Sequence, residues 1–280
     1  MSNGAWTWDE TLYAGSAPFY SVGRMPYPDG LTEALTRELQ LDGTQRLLDI
    51  GCGPGSLTLL LAPHVATALG IDADPEMIEE AERATSRSGE ANVSWRHMRA
   101  EELPGGIGQF ELVTFAQSFH WMNRPAVAAS VREMLTPDGA CAYVHATTHR
   151  GDESVDPLAH PRPPYEEIGE LVSEYLGPVR RAGRGSLPEG TPAGEEVILR
   201  EAGFDGPHRI EVPTGAVVTR TTEEIVAASF SLSSSTPELF GSRRASFQRD
   251  LIELLHRTSP AGVFAERRRG IALDIWRPCP

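Results

Sequence analysis

LLDIGCGPGS, residues Leu47 to Ser56, is the stretch on which the fold of this chain turns. A short apolar run leads directly into three glycines spaced two apart, Gly51, Gly53 and Gly55, and an apolar segment of helical period follows. A strand that passes through a glycine-rich turn into a helix lets backbone N–H groups come close to a ligand, because no Cβ stands in the way. Working outward, the same alternation recurs. Arg46 to Ile50 reads as a strand, Ser56 to Val65 as a helix and Ala66 to Asp72 as a second strand. Asp74 is a natural N-cap for a helix over Pro75 to Ser86, with proline in its first turn. Val93 to Met98 and Phe110 to Ala116 are further strands, Pro125 to Leu135 a helix, and Ala140 to Ala146 a fifth strand entered through the Pro137-Asp138-Gly139 turn. Five such units within about 100 residues predict an α/β fold, a doubly wound Rossmann-like sheet.

Two nucleotide cofactors use a turn of this kind. A dinucleotide site of the form G-x-G-x-x-G needs glycine at position 56, where this chain has Ser56. Asp49, two residues before the first glycine, suits a cationic amino-acid portion and is poorly placed beside a pyrophosphate. An NAD(P)-dependent oxidoreductase is therefore the weaker alternative.

Composition narrows the field further. The 280 residues carry 25 Lys plus Arg against 39 Asp plus Glu, a net charge of −14, and all 25 cations are arginine. Without lysine there is no P-loop lysine, no Schiff base and no lysine base. The acidic balance argues against nucleic acid or an anionic membrane as a partner, since both need clustered positive charge. Cys52, Cys141 and Cys279 are odd in number and widely separated, so they form neither a disulfide framework nor a zinc ribbon. No basic region followed by an apolar stretch opens the chain, and the expected location is the cytoplasm.

LLDIGCGPGS resembles the first motif, D-x-G-x-G-x-G, of class I S-adenosylmethionine-dependent methyltransferases. The resemblance runs from about residue 18 to the end and is most specific over residues 46 to 144. It implies a seven-stranded sheet whose last strand is antiparallel, with S-adenosylmethionine as the cofactor and a small-molecule methyl acceptor. It also implies roles for single residues. Asp49 and the three glycines lie at the methionine portion, Asp72 in GIDADPEMI accepts the ribose hydroxyls, and Ala73 and Met77 lie along the nucleoside. In Arg99-Ala100-Glu101-Glu102-Leu103-Pro104, Ala100 and Glu101 meet the adenine edge, with Arg99 standing where the family has an acid. Gln117 follows the fourth strand beside the methionine part. APFYSVGRMPYP, Ala17 to Pro28, looks like the family's Y-x-x-x-R-P-x-Y-P entry segment with Met25 in place of a proline, which adds Tyr20 and Arg24 to the cofactor contacts.

QSFHWM, Gln117 to Met122, resembles an element of relatives of trans-aconitate and juvenile hormone acid methyltransferases and of bacterial natural-product enzymes, which points to secondary metabolism. His120 and His145 are the candidate catalytic groups, and Tyr13, Tyr20, Trp121 and His149 candidate acceptor contacts. The bland reading of His120 is a packed histidine that shapes the pocket. Methyl transfer to a carboxylate or unprotonated amine needs no base. His145 and His149 have metal-ligand spacing only on a helix, and the residues between them read as a strand end, so no metal is expected. Arg180-Arg181 and Arg267 to Arg269 read as solvated surface.

The expected organisation is an aromatic N-terminal lid with a first helix over 1–40, the cofactor-binding core over 41–146, an inserted cap over 147–192 and a C-terminal completion over 193–280. The lid includes Trp6, Trp8, Tyr13, Phe19, Tyr20 and Tyr27. The later elements expected are helices over Tyr165 to Leu176, Gly194 to Ala202, Thr222 to Phe230 and Pro237 to Arg257, with strands over His208 to Val218 and Gly270 to Trp276. A homo-oligomer is implied by the resemblance alone. A protein that binds S-adenosylmethionine without transferring its methyl is the remaining alternative.

Overall fold

A computed structural model describes residues 9–28, 30–154, 156–183, 185–188 and 193–279. Trp6 and Trp8 of the expected lid lie outside the described residues. Seven strands form the central sheet: β1 Arg46–Ile50, β2 Thr67–Asp72, β3 Val93–His97, β4 Phe110–Ala116, β5 Leu135–His145, β6 Phe204–Val212 and β7 Ile271–Pro278. Their order is β3-β2-β1-β4-β5-β7-β6. β1 to β5 run parallel, and β7 is antiparallel to both β5 and β6. The strand order reverses between β1 and β4, so a crevice opens beyond their carboxyl ends, where open α/β sheets bind ligands.

The helices, in chain order, are α1 Ala17–Gly23, α2 Gly30–Leu39, α3 Ser56–Leu61, α4 Pro75–Ser88, α5 Arg124–Met134, α6 Tyr165–Leu176, α7 Glu195–Glu201, α8 Thr222–Phe230, α9 Pro237–Phe240 and α10 Arg244–Thr258. Period-two burial divides the sheet between two apolar layers. Leu48, Ile50, Val113 and Phe115 belong to one. Leu47, Leu112, Ala142 and Val144 belong to the other, together with Leu57 and Leu61 of α3. A third cluster, built on Ile168, Ile225, Phe230, Phe240, Phe247 and Leu251, joins α6, α8, α9 and α10 into a cap. Asp74 caps α4 as its sequence position predicts, accepting from the Glu76 N–H at 2.9 Å. Among the described residues no helix is long and apolar enough to cross a membrane.

Three expected elements differ from those observed. The strand anticipated over His208 to Val218 is two: β6 stops at Val212, and Val217–Thr221 pairs antiparallel with Val263–Arg267 in a separate ribbon. Pro213 has no N–H to continue the ladder, and Gly215, at φ +121°, turns the chain away. The single helix over Pro237 to Arg257 is broken at Gly241, where φ is +52°. β5 begins five residues early. Leu135 pairs with Phe110 and Ala140 with Leu112, so 136–139 bulge from a strand already under way.

α1 lies across α8 at very short range. A Cβ on Gly23 would come within 2.3 Å of the Ala228 backbone nitrogen, so the glycine sets the approach. The guanidinium of Arg220, on the ribbon, then fixes this junction. It donates to the carbonyls of Gly23 at 2.7 Å, Glu224 at 3.0 Å and His149 at 3.0 Å, and pairs with the buried Glu266 at 3.3 Å. Glu266 also accepts from the Tyr165 hydroxyl at 2.6 Å and from the Gly151 N–H. One buried ion pair thus ties α1, the segment after β5, α6 and α8 together.

Candidate active site

The glycine loop follows β1, and all three glycines adopt the left-handed region: φ is +68° at Gly51, +55° at Gly53 and +81° at Gly55. Their surroundings separate their roles. A Cβ at Gly51 would lie 2.5 Å from Ser118 Cβ, and one at Gly55 2.3 Å from the Trp95 ring. A Cβ at Gly53 would meet no atom within 4 Å, because Gly53 borders an open cleft. Gly51 borders it too, whereas Gly55 is buried against Trp95 and acts as a packing glycine beneath the loop.

Asp72, closing β2, holds the loop from the side. One carboxylate oxygen accepts the Gly53 N–H at 2.8 Å and the other the Asp74 N–H at 2.9 Å. Burial raises its pKa to about 6, against the pull of those two N–H bonds. Each oxygen retains capacity to accept a further hydrogen bond.

The cleft beside this acid, partly open to solvent, spans about 640 Å³. Ala73 and Met77, from the turn and first coil of α4, line it, with Ala100 and Glu101 on the β3 side. Glu101 is oriented by accepting the Asn123 N–H at 2.8 Å. Gln117 and Trp121 line it at the end of β4, and Tyr13 and Tyr20 cover it from the N-terminal segment. Tyr13 packs edge-on against both Tyr20 and Trp121, with ring centroids 6.2 Å apart in each case. Gln117 sits at φ +59°, a costly conformation for a residue with a side chain, and such residues gather at functional sites. On the far side of Gly51, Gly53 and Gln117 the cleft continues into a lobe lined by Arg24, Tyr27, Ser56 and Thr148. Arg24 stacks over the Tyr20 ring at 4.4 Å and donates to the side chain and carbonyl of Ser231 at 2.8 and 2.7 Å.

Met98, Ser118 and Met122 also line the cleft, although no motif singles them out. The signal lay in position: Met98 directly follows β3, and Ser118 and Met122 fall within QSFHWM. The Ser118 hydroxyl donates to the Ile50 carbonyl at 2.6 Å, joining the end of β4 to the start of the glycine loop.

A family model described as a methyltransferase domain matches residues 47–139, the segment that builds this cleft. An uncharacterised methyltransferase of Bacillus subtilis, YcgJ, is 35% identical over 172 residues, covering 60% of this chain and 68% of its own. The chain belongs to the methyltransferase family. A methyltransferase-like protein of Schizosaccharomyces pombe is 28% identical over 157 residues and is spanned over 56% of its length. A methyltransferase-named protein of Dictyostelium discoideum, 29% identical over 138 residues, is spanned over 48%. The chain thus covers about half the length of these two relatives. Among solved structures, a Geobacter sulfurreducens methyltransferase in complex with S-adenosylhomocysteine matches with TM-score 0.51 at 13% identity, covering 95% of this chain and 97% of its own. The [4+2]-cyclase SpnF matches with TM-score 0.52 at 19% identity over 96% and 95%. At these identities the likeness is one of fold, the seven-stranded Rossmann-like sheet with its antiparallel last strand.

Several of the expected site residues do not line the cleft. Asp49 lies on the face of β1 covered by α3, only 1% exposed, and not in the cleft. Its two oxygens accept the hydroxyls of Thr58 at 2.6 Å and Thr114 at 2.8 Å. Burial raises its pKa to about 6. It is a strut under the loop.

The histidines do not converge with Tyr20 on one cavity. His145 is held on the sheet by Asp274 at 2.8 Å, and Asp274 is also forked by Arg209 at 2.8 and 2.9 Å. Strand order puts β5, β7 and β6 side by side, so these three form a cross-strand network away from the cleft. His120 stands behind Trp121, ring centroids 4.7 Å apart, and does not line the cleft. Burial, with the charges of Arg180 and Arg124, lowers its pKa to about 4, so it is neutral near pH 7. His149 points into a second cavity under α6, where burial and four arginines, Arg24 foremost, press its pKa down to about 3. Arg180 and Arg181 line that cavity too, where the sequence suggested plain solvated surface.

Proposed function

We propose that this methyltransferase uses S-adenosylmethionine to methylate a small molecule at an oxygen, nitrogen or carbon nucleophile. The observation that carries the reading is the pairing of Asp72 with Gly53: a partly exposed carboxylate and a glycine open to the same cleft, fastened to each other by one hydrogen bond. Asp72 has acceptor capacity left for a vicinal diol, and Met77 and Ala100 offer an apolar slot for a planar base. Arg24 and Ser56 line the lobe where the amino-acid end would rest. When bound, the cofactor supplies a methyl group on a positively charged sulfur.

The chain's own part is alignment and exclusion of water. Tyr13, Tyr20 and Trp121 make a continuous aromatic wall over the cleft. Neutral His120 presents no charge and shapes the pocket through Trp121. The aromatic cover over the cleft and the net charge of −14 favour a small acceptor over a nucleic acid. Isothermal titration with S-adenosylhomocysteine tests the cofactor: binding in the micromolar range is expected, and its loss in Asp72→Ala. Absence of binding at high micromolar concentration would sink the reading. Release of a labelled methyl group with the true acceptor separates transfer from mere cofactor binding.

A further inference from the structure

Ser231 directly follows α8 and is fully buried. Its hydroxyl donates to the Ala228 carbonyl at 2.7 Å and accepts from Arg24 Nε at 2.8 Å, while its own carbonyl accepts from Arg24 Nη2 at 2.7 Å. One edge of the guanidinium is therefore spent on a single residue of the cap. The Tyr20 ring packs against it at 4.4 Å. Nη1 makes no hydrogen bond to a described residue, so it and the second N–H of Nη2 retain capacity to donate, the paired geometry that suits a carboxylate. Arg24 lines the lobe that continues from the cleft past Gly51, Gly53 and Gln117.

Arg24 caps the carboxyl end of α1, a helix of only seven residues, and carries a long side chain with many rotamers. A ligand that had to order such a side chain would bind more weakly, so fixing it beforehand raises affinity. The grip comes from a residue 207 positions away in sequence. Ser229, Leu232, Ser234 and Ser235 around it line the second cavity, and Ser231 does not. The same stretch of chain thus serves the cap cavity through its neighbours and the lobe through Ser231.

We propose that Ser231 is a positioning residue for the cofactor: from the cap it holds the Arg24 guanidinium in the orientation that receives the carboxylate of the amino-acid end. The proposal rests on the reading that S-adenosylmethionine occupies the cleft and extends this end into the lobe.

The test is isothermal titration with S-adenosylhomocysteine and with its decarboxylated analogue, which keeps the nucleoside, sulfur and amine and lacks only the carboxylate. The wild-type protein should bind S-adenosylhomocysteine at least about tenfold more tightly than the analogue, the margin of a charge-assisted hydrogen bond. Arg24→Met should bring that ratio to about one, and Ser231→Ala to less than about a third of its wild-type value, with the analogue's own affinity kept within about twofold. Ser231→Ala added to Arg24→Met should change nothing further, because Ser231 acts through Arg24. Ser231→Cys, close in volume and a weak acceptor, should move the ratio in the same direction and serves where Ser231→Ala does not fold. An equal loss for both ligands in the Ser231 variants is the mark of a purely structural cross-link and would overturn the proposal. A wild-type ratio near one, or a further drop in the double variant, would overturn it as well, and each of these results leaves the cofactor reading standing. Failure of the wild-type protein to bind either ligand would overturn the cofactor reading and the proposal with it.

Discussion

Arg220→Met removes the cation at the centre of the buried junction and leaves four acceptors short. Glu266, 1% exposed, loses its counter-charge, and the carbonyls of Gly23, Glu224 and His149 lose a donor. Breaking one side of a buried ion pair costs about 3–5 kcal/mol, because the remaining charge stays desolvated. For 280 residues the unfolding entropy is about 0.6 kcal/mol/K, so the midpoint should fall by about 5–9 °C. Thermal melts followed by circular dichroism read this directly. The same reasoning fixes the double variant Arg220→Met/Glu266→Leu, which has no orphaned charge and should melt well above the sum of the two single losses. A single-variant midpoint within about 1 °C of wild type, or a double variant that falls by the full sum, would refute the assignment of the pair as the joint of the cap. Binding supplies a second reading: Gly23 ends α1, which carries Tyr20 into the cleft, so affinity for S-adenosylhomocysteine should fall in the same variant.

Other consequences follow from the site. Gly53→Ala meets no atom and should cost only the left-handed strain of about 1–2 kcal/mol while abolishing S-adenosylhomocysteine binding; Gly55→Ala drives a methyl into Trp95 and should lower the melting midpoint further. Equal melting midpoints for the two variants would contradict that division. If Asp72 holds the ribose diol as proposed, it does so best as a carboxylate, so S-adenosylhomocysteine affinity measured by titration should weaken as pH falls through about 6, and the step should flatten in Asp72→Asn. For stability the sign is opposite. The folded pKa values of Asp72 and Asp49 lie above that of a free carboxylate, so the folded state holds more protons between about pH 4 and 6 and these two acids weaken the fold as pH rises through that window. His120 should titrate near pH 4 in an NMR series of imidazole signals, and a midpoint at 6 or above would return it to the list of proton-transfer groups.

How far the sequence reaches can be followed residue by residue. Gly51, Gly53, Asp72, Ala73, Met77, Ala100, Glu101 and Gln117 were all legible, because one strand–turn–helix unit fixes each of them relative to the nearest strand end. The same local rule located Asp49 and Gly55 but not their neighbours, Thr58 and Thr114 for the acid and the Trp95 ring for the glycine. Whether a side chain on a strand or loop points into the cleft or into α3 and Trp95 depends on which face the neighbouring elements cover. His145 shows the limit more sharply, since its partner Asp274 lies 129 residues away and meets it only because β7 enters beside β5.

By itself, then, the sequence determined the parallel core, the glycine loop and the acid at the end of β2 that borders the cleft, all set by short-range periodicity and backbone sterics. Only the tertiary structure decided which titratable groups stand free and which are spent in support. It also decided where the arginines of the cap gather. Arg150 and Arg181 share one cavity with α6 and the segment after α8 because the chain returns there through the ribbon and the Arg220–Glu266 pair, and contacts between segments so far apart leave no periodic trace in the sequence.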